Sequence, residues 1–279
     1  MANPVLSRPD AFTPASYGYS GYQQAYAAQG GAAYGQPAYG QPAYGQPAFG
    51  QPVDAPATMT YDLVLNRAAL LLGLLFLTAG VAYTIVPPMA LYPAALVCGL
   101  VAVIFPFLVA TRRHAAPGLI LAYSAVEGVF IGGISKIFES SYPGIVVQAV
   151  LGTIAVAAVV LIAFRGAGFR ASARGNQIVR IGLFAFLGVA LLNLVLRLFG
   201  VNLGLFPAPG EAVSVWAWAA VLIGIGLAVY SLLQDLTFIE RGVAMGAGAD
   251  QSWTAAFGLV VTLVFLYTQV LRVLSYIRR

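Results

Sequence analysis

Seven long apolar stretches make up most of this chain. Each is close to the roughly 20 apolar residues that a helix needs to cross about 30 Å of bilayer hydrocarbon. Charged residues are only 8% of the chain, against roughly 25% in a soluble domain. We therefore predict an all-α integral membrane protein with seven transmembrane helices. The stretches are residues 68–86, 90–111, 118–138, 145–164, 181–199, 213–238 and 253–275.

The N-terminal segment, residues 1–57, has a different composition. A Tyr-Gly-Gln-Pro-Ala repeat begins at Tyr34 and recurs from Tyr39 and Tyr44, and a Phe variant begins at Phe49. Proline at every fifth residue opposes helices and sheet ladders, and no periodic apolar face offers a core. We predict a disordered tail over 1–57 and a seven-helix membrane domain over 58–279. The tail is a solvated tether or, alternatively, a weakly adhesive segment that contacts itself or a partner.

The orientation follows from the basic residues near the ends of the stretches. The predicted loop 165–180 is the longest and is strongly basic. One side of the membrane carries eight basic residues, against five on the other, which favours a cytoplasmic N-terminus and an outer C-terminus. The larger set is Arg67, Arg112, Arg113, Arg165, Arg170, Arg174, Arg180 and Arg241, and the smaller is Lys136, Arg197, Arg272, Arg278 and Arg279.

The basic residues also bear on the cell type and the partners. They cluster in loops between apolar stretches, so the net charge of +5 indicates membrane topology and no nucleic-acid partner. Abundant Arg, Ala and Gly beside a single Lys are typical of a GC-rich bacterial genome. We expect a multi-pass protein of a bacterial plasma membrane, with the lipid bilayer as its first partner.

Only two of the apolar stretches contain a carboxylate, which is costly in a membrane unless paired, hydrated or protonated. Asp235 is predicted in the last turn or so of the sixth helix, near the inner face. Arg112 and Arg113 end the second helix at the same depth. An Asp235–Arg pair there would form a gate that proton binding loosens. The alternatives are a static interfacial salt bridge or an acid that reaches water at the inner face.

Glu127, the second carboxylate, is predicted near the bilayer midplane. Gly128 and Gly132 follow it in a small-xxx-small pattern that lets a neighbouring helix approach closely. Glu127 could line an ion path or relay a proton. The alternative is a protonated Glu that is hydrogen-bonded to a neighbouring helix.

No enzyme signature accompanies these acids. The chain contains no nucleophile elbow, no paired His-Glu zinc motif and no phosphate-binding loop. Cys98 and His114 are the only Cys and His; we interpret them as a packed or lipid-facing thiol and a surface side chain. We predict no catalytic residues, no metal site and no cofactor.

Several motifs together resemble the Bax inhibitor-1 family of membrane proteins. Residues 122–128, Ala-Tyr-Ser-Ala-Val-Glu-Gly, with Gly132 and Gly133, are similar to the family's third-helix signature. Asp235 near the end of the sixth stretch and residues 253–272 at the close of the chain match as well. The resemblance covers roughly residues 58–279 and leaves the tail outside.

This resemblance implies a central last helix wrapped by six others and a pH-sensitive calcium leak. In bacterial members two aspartates on the last two helices share a proton, and an Arg at the inner end of helix two pairs with them. Asp235 matches the first aspartate and Arg112 the Arg, but Thr262 stands in place of the second aspartate. Thr262 can hydrogen-bond to Asp235 but cannot share a proton with it as a carboxylate would.

Two functional hypotheses result from these observations. The first is a pH-modulated leak or channel for cations, with calcium as one candidate. In it Asp235, Arg112, Arg113 and Thr262 act in gating and pH sensing, and Glu127 lines the path. The second is a regulator or scaffold that transports nothing and binds membrane proteins, for instance membrane proteases or envelope machinery.

Overall fold

The computed structural model describes residues 57–87, 90, 97–101, 103, 105–106, 109 and 116–278. Six helices within these residues are long and apolar enough to cross a membrane. They are α1 (Tyr61–Ile85), α2 (Pro117–Ser141), α3 (Ile145–Gly166), α4 (Ala173–Leu198), α5 (Val215–Ala244) and α6 (Gln251–Ile277). The described residues of the second apolar stretch are also helical. The predicted disorder of the tail lies outside the described residues.

Three helix boundaries differ from the prediction by more than three residues, and the first is the start of α1, which lies at Tyr61 and not near residue 68. Residues 165–180 are not one long loop, because α4 begins at Ala173, where the Ser172 side chain accepts a hydrogen bond from the Gly175 N–H. Likewise α5 continues past the sixth apolar stretch to Ala244. An apolar stretch ends at the first charged residues. The helix itself can continue past them into the polar region when its end is capped.

α1 and α2 run parallel and approach very closely. A Cβ atom built on Gly128 would lie 2.4 Å from the Leu75 carbonyl oxygen, and one on Gly132 would lie 2.3 Å from that of Ala79. The close approach predicted from the small-xxx-small pattern is therefore confirmed. Residues of the second stretch pack on another part of α2, where the rings of Phe105 and Tyr123 are 6.0 Å apart.

The last helix, α6, occupies the middle of the described bundle. Its backbone packs closely against α1, α2, α3 and α5, and Phe265 contacts Phe186 of α4 at 5.6 Å between ring centroids. Ala256, Val260 and Leu266 of α6 are fully buried. By contrast, among the described helices α4 packs its backbone closely only against α5. The most loosely held helix is thus α4.

One end of the bundle, here called the basic end, contains the start of α1, α4 and α6 and the end of α3 and α5. The segment before α1 folds over the loop between α5 and α6, where the Met59 N–H donates to the Ala247 carbonyl at 2.7 Å. Arg67 donates to the Ala249 carbonyl at 2.6 Å and stacks on Trp253 at 4.7 Å. The start of the membrane domain is therefore fixed to the helix connection that follows Asp235.

Candidate functional site: two carboxylates inside the helix bundle

Asp235 joins α5 to the central helix α6. The Thr262 hydroxyl donates a hydrogen bond to Asp235 Oδ2 at 2.6 Å. One turn earlier on α6, a Cβ built on Gly258 would lie 3.1 Å from Asp235 Oδ1, so the absence of a side chain there leaves room for the carboxyl group. The contact between Asp235 and Thr262 that the sequence analysis considered is therefore present.

The position predicted for Asp235 along its helix was wrong. It lies nine residues before the end of α5 at Ala244, about 13 Å at roughly 1.5 Å of rise per residue, and not in the last turn. Thr262 lies eleven residues after the start of α6 at Gln251, so the two side chains meet well inside the bundle. The error arose because residues 239–244 are too polar to count as an apolar stretch, yet they remain helical.

A polar cleft leads to Asp235 from between α4 and α5. Its volume is about 300 Å³, and it is open to the surroundings. Across it, the Gln234 side-chain amide donates to Asn176 Oδ1 at 3.0 Å. The residues lining the cleft are Asn176, Arg180, Leu183, Gln234, Asp235 and Phe238. The cleft therefore gives Asp235 an opening that is lined by polar side chains together with Leu183 and Phe238. Arg180 supplies a positive charge to the same cleft.

The connection between α3 and α4 is anchored on α5 close to this cleft. Arg170 forms a two-pronged ion pair with Glu240, with N–O distances of 2.6 and 2.8 Å. The Thr237 hydroxyl accepts a hydrogen bond from the Ala171 N–H at 3.1 Å. The start of α4 is thus held to α5 at the basic end, while the rest of α4 packs loosely.

Glu127 has very different surroundings. It lies mid-way along α2, ten residues after Pro117, and is only 4% exposed. Its Oε2 atom and the Ser124 hydroxyl have no hydrogen-bond partner among the described residues, whereas Tyr123, one turn earlier, interacts with the carboxyl group. Glu127 is therefore enclosed in the core beside the α1–α2 contact.

Two of the predicted site residues cannot be placed. Arg112 and Arg113 lie outside the described residues, as does His114, so the Asp235–Arg pair stays a prediction. Cys98 is partly buried. Among the residues that the structure describes, no three His, Cys, Asp or Glu side chains are grouped as metal ligands would be.

Three cleft residues, Asn176, Arg180 and Gln234, were missed as site residues by the sequence analysis. Asn176 and Arg180 are four apart and share a helix face, which was a usable signal. The basic segment 165–180 nevertheless predicts a loop, and in a loop this spacing carries no meaning. Nothing local in the sequence shows that Gln234 of α5 faces Asn176.

The fold and the buried polar groups define a multi-pass helical membrane protein. A family model described as Bax inhibitor 1 like matches residues 3–279. The chain therefore belongs to the Bax inhibitor 1 like family, as its motifs predicted. The match extends further than expected, because it includes nearly all of the N-terminal tail. No curated protein matches the chain.

Proposed function

We propose that this protein is a cation leak or channel controlled by the contact between Asp235 and Thr262. The observation that carries the proposal is that the Asp235 carboxyl group has two different surroundings at once. Its carboxyl group lines an open polar cleft and also accepts a hydrogen bond from the central helix. A group in this position can meet an ion or a proton from the cleft and transmit the event to helix packing.

The mechanism depends on the charge of Asp235. An ionised carboxylate offsets the positive charge that Arg180 brings to the cleft, so a cation can enter. It also accepts a charge-assisted hydrogen bond from Thr262, which is stronger than a neutral one. Protonation removes the charge and weakens this bond, so the α5–α6 contact loosens and the open population increases. Calcium prefers several oxygen ligands, and Asn176 and Gln234 offer side-chain oxygens near the single carboxylate.

The proposal includes seven membrane crossings. Because α1 and α2 are parallel, the chain between them has to return to the basic end before α2 begins, which supports the second apolar stretch as a further span. In this arrangement Arg112 or Arg113 returns to the basic end and extends its side chain toward Asp235. Glu127 stays enclosed in the core and does not line the cleft. We place the basic end in the bacterial cytoplasm because of the positive-inside rule, with the C-terminus outside, and we assign no enzymatic activity.

Cation entry into liposomes containing the purified full chain tests this proposal. Flux is measured between about pH 3 and 8, a range that includes the titration of most protein carboxyls. Asp235→Asn should raise flux and flatten its pH dependence, because the neutral amide imitates the protonated acid. Thr262→Val should raise flux but retain a pH response, because the carboxyl group is still present.

Thr268→Val provides a matched control on the same helix. The Thr268 hydroxyl donates to the carbonyl of Phe265 in its own helix, so this variant should behave as wild type. If wild type, Asp235→Asn and protein-free liposomes all show the same flux at every pH, the leak is excluded. The scaffold for membrane proteases or envelope machinery would then be the remaining hypothesis.

A further inference from the structure

A second opening in the bundle is an apolar groove, separate from the polar cleft at Asp235. Its volume is about 700 Å³, within the range of roughly 300–1,000 Å³ typical of ligand pockets. α1 and α3 form its walls, and α2 and α6 form its floor. The backbones of α1 and α3 do not pack against each other. Because exposed Phe76 and Ile154 line these walls, the groove opens sideways onto apolar surface.

Four of the five hydroxyl side chains that line the groove, all except Tyr83, have hydrogen-bond partners within the protein. The hydroxyls of Ser135 and Tyr267 are 2.8 Å apart and share a hydrogen bond. Those of Thr84 and Thr153 donate to carbonyls of their own helices at 2.8 and 2.7 Å. The groove therefore presents mainly hydrocarbon, which suits an apolar chain and not a hydrated ion.

A positive charge lies near one end of this groove. Lys136 is the single lysine of the chain, and its Nζ atom is 5.8 Å from the ring centroid of Tyr83, a groove residue. It donates to the Val86 carbonyl at 3.0 Å, where α1 ends. Lys136 forms no ion pair with another described residue, so its charge is available to an anionic group beside the groove.

The length of the groove fits one leaflet of a bilayer. Along α1 it extends from Leu72 to Thr84, about 18 Å at roughly 1.5 Å per residue, and half of the hydrocarbon core is about 15 Å. We propose that this groove binds an acyl chain of an anionic phospholipid, with the phosphate beside Lys136. The lipid comes from the leaflet at the end of the bundle opposite to the basic end.

Photocrosslinking of the full-length protein in vesicles tests this site. The vesicles contain phosphatidylcholine with a minor share of phosphatidylglycerol, and a photoreactive diazirine is placed on an acyl chain of one lipid or the other. Crosslinked residues are located by mass spectrometry. In wild type, the phosphatidylglycerol probe should label the groove walls severalfold more than the phosphatidylcholine probe.

Two pairs of variants separate a specific site from general lipid contact. Ala157→Phe fills the groove and should abolish labelling of its walls, whereas Ala155→Phe, at an exposed position of α3 outside the groove, should not. Lys136→Gln should reduce phosphatidylglycerol labelling to the phosphatidylcholine level, and Lys136→Arg should retain the preference. Unchanged wall labelling in Ala157→Phe, or equal labelling by the two lipids in wild type, would overturn the proposal. Thermal unfolding of each variant identifies any that fail to fold.

Discussion

Asp235 and Glu127 are both acidic side chains inside helix spans, but the protein surrounds them in opposite ways. Asp235 has a hydroxyl partner on a neighbouring helix and a polar cleft on its other side. Glu127 is almost fully buried, and one of its oxygens lacks a partner among the described residues. Similar chemistry at similar depth therefore has different access to ions and water.

The glycines beside the two acids explain part of this difference. Gly128 follows Glu127 and serves helix packing, since the backbone of α1 occupies the space where its side chain would be. Gly258 lies across from Asp235 and leaves space for the carboxyl group itself. The first glycine closes the core around its acid, whereas the second gives its acid freedom to move. We infer that Asp235 is suited to exchange with the surroundings and Glu127 is not.

The largest expected effect comes from replacing these two glycines with alanine. In Gly128→Ala the new Cβ would lie 1.9 Å from Thr78 Oγ1 and 2.4 Å from the Leu75 carbonyl oxygen, and the helix backbone cannot move without separating α1 from α2. We expect a loss of at least about 1–3 kcal/mol, typical of overpacking, or failure to fold. In Gly258→Ala the nearest atom is Asp235 Oδ1 at 3.1 Å, and the carboxyl group can turn into the cleft, so the loss should be smaller.

Thermal unfolding in detergent measures both variants. Gly188→Ala is the matched control, because nothing lies within 4 Å of a Cβ at Gly188, and alanine favours a helix over glycine by up to about 1 kcal/mol. This control should be neutral or slightly stabilised. Equal destabilisation of Gly128→Ala and Gly258→Ala would break the comparison, because the two acids would then be equally enclosed.

Chemical modification should distinguish the two acids more directly. A water-soluble carbodiimide with an amine nucleophile should convert Asp235 to an amide through the open cleft and leave Glu127 unmodified in the folded protein. Peptide mass spectrometry measures the modified fraction at each residue, and denatured protein serves as the control in which both should react. Modification of Glu127 at the rate of Asp235 would show that water reaches the core beside the α1–α2 contact.

Much of the fold could be predicted because hydrocarbon thickness sets helix length. Each of the six described spanning helices coincides with a predicted apolar stretch. The errors occurred at helix ends, where Ser172 and residues 239–244 extend helices beyond the apolar stretches. Such extensions depend on helix caps and on contacts such as that of Arg170 with Glu240. A hydropathy pattern does not reveal either of them.

The site was predictable only where helix order fixes depth. Asp235 and Thr262 lie on consecutive antiparallel helices, so counting along the chain brings them together. The cleft was not predictable, because it depends on which face α4 presents to α5, and neither helix carries a pattern that fixes this pairing. The enclosure of Glu127 likewise depends on the position of α1, which the glycine spacing indicated without naming the partner helix.

The smallest expected effect concerns a third acid, Glu211, in the connection between α4 and α5. Its carboxylate accepts a hydrogen bond from the Ala208 N–H at 2.9 Å and pairs with Arg197. The Ala208 bond first, and the Arg197 charge after it, hold the pKa of Glu211 below its usual value. This group tests whether acid sensitivity of stability can be separated from acid sensitivity of flux.

The sign of the effect follows from the lowered pKa. Glu211 is more acidic in the folded protein than in the unfolded chain, so its contribution to stability is present above the unfolded value of about 4.3 and is lost as pH falls through the folded value. We expect less than about 1 kcal/mol, because both side chains are partly in water. Glu211→Gln should therefore make thermal stability below about pH 4.5 slightly less dependent on pH.

The same Glu211→Gln variant should leave the pH response of cation flux unchanged, because Glu211 lies at the opposite end of α5 from Asp235. If Glu211→Gln flattened the flux response as Asp235→Asn is expected to do, the pH sensor would lie outside the cleft, and the distinction between an accessible and an enclosed acid would no longer explain the function.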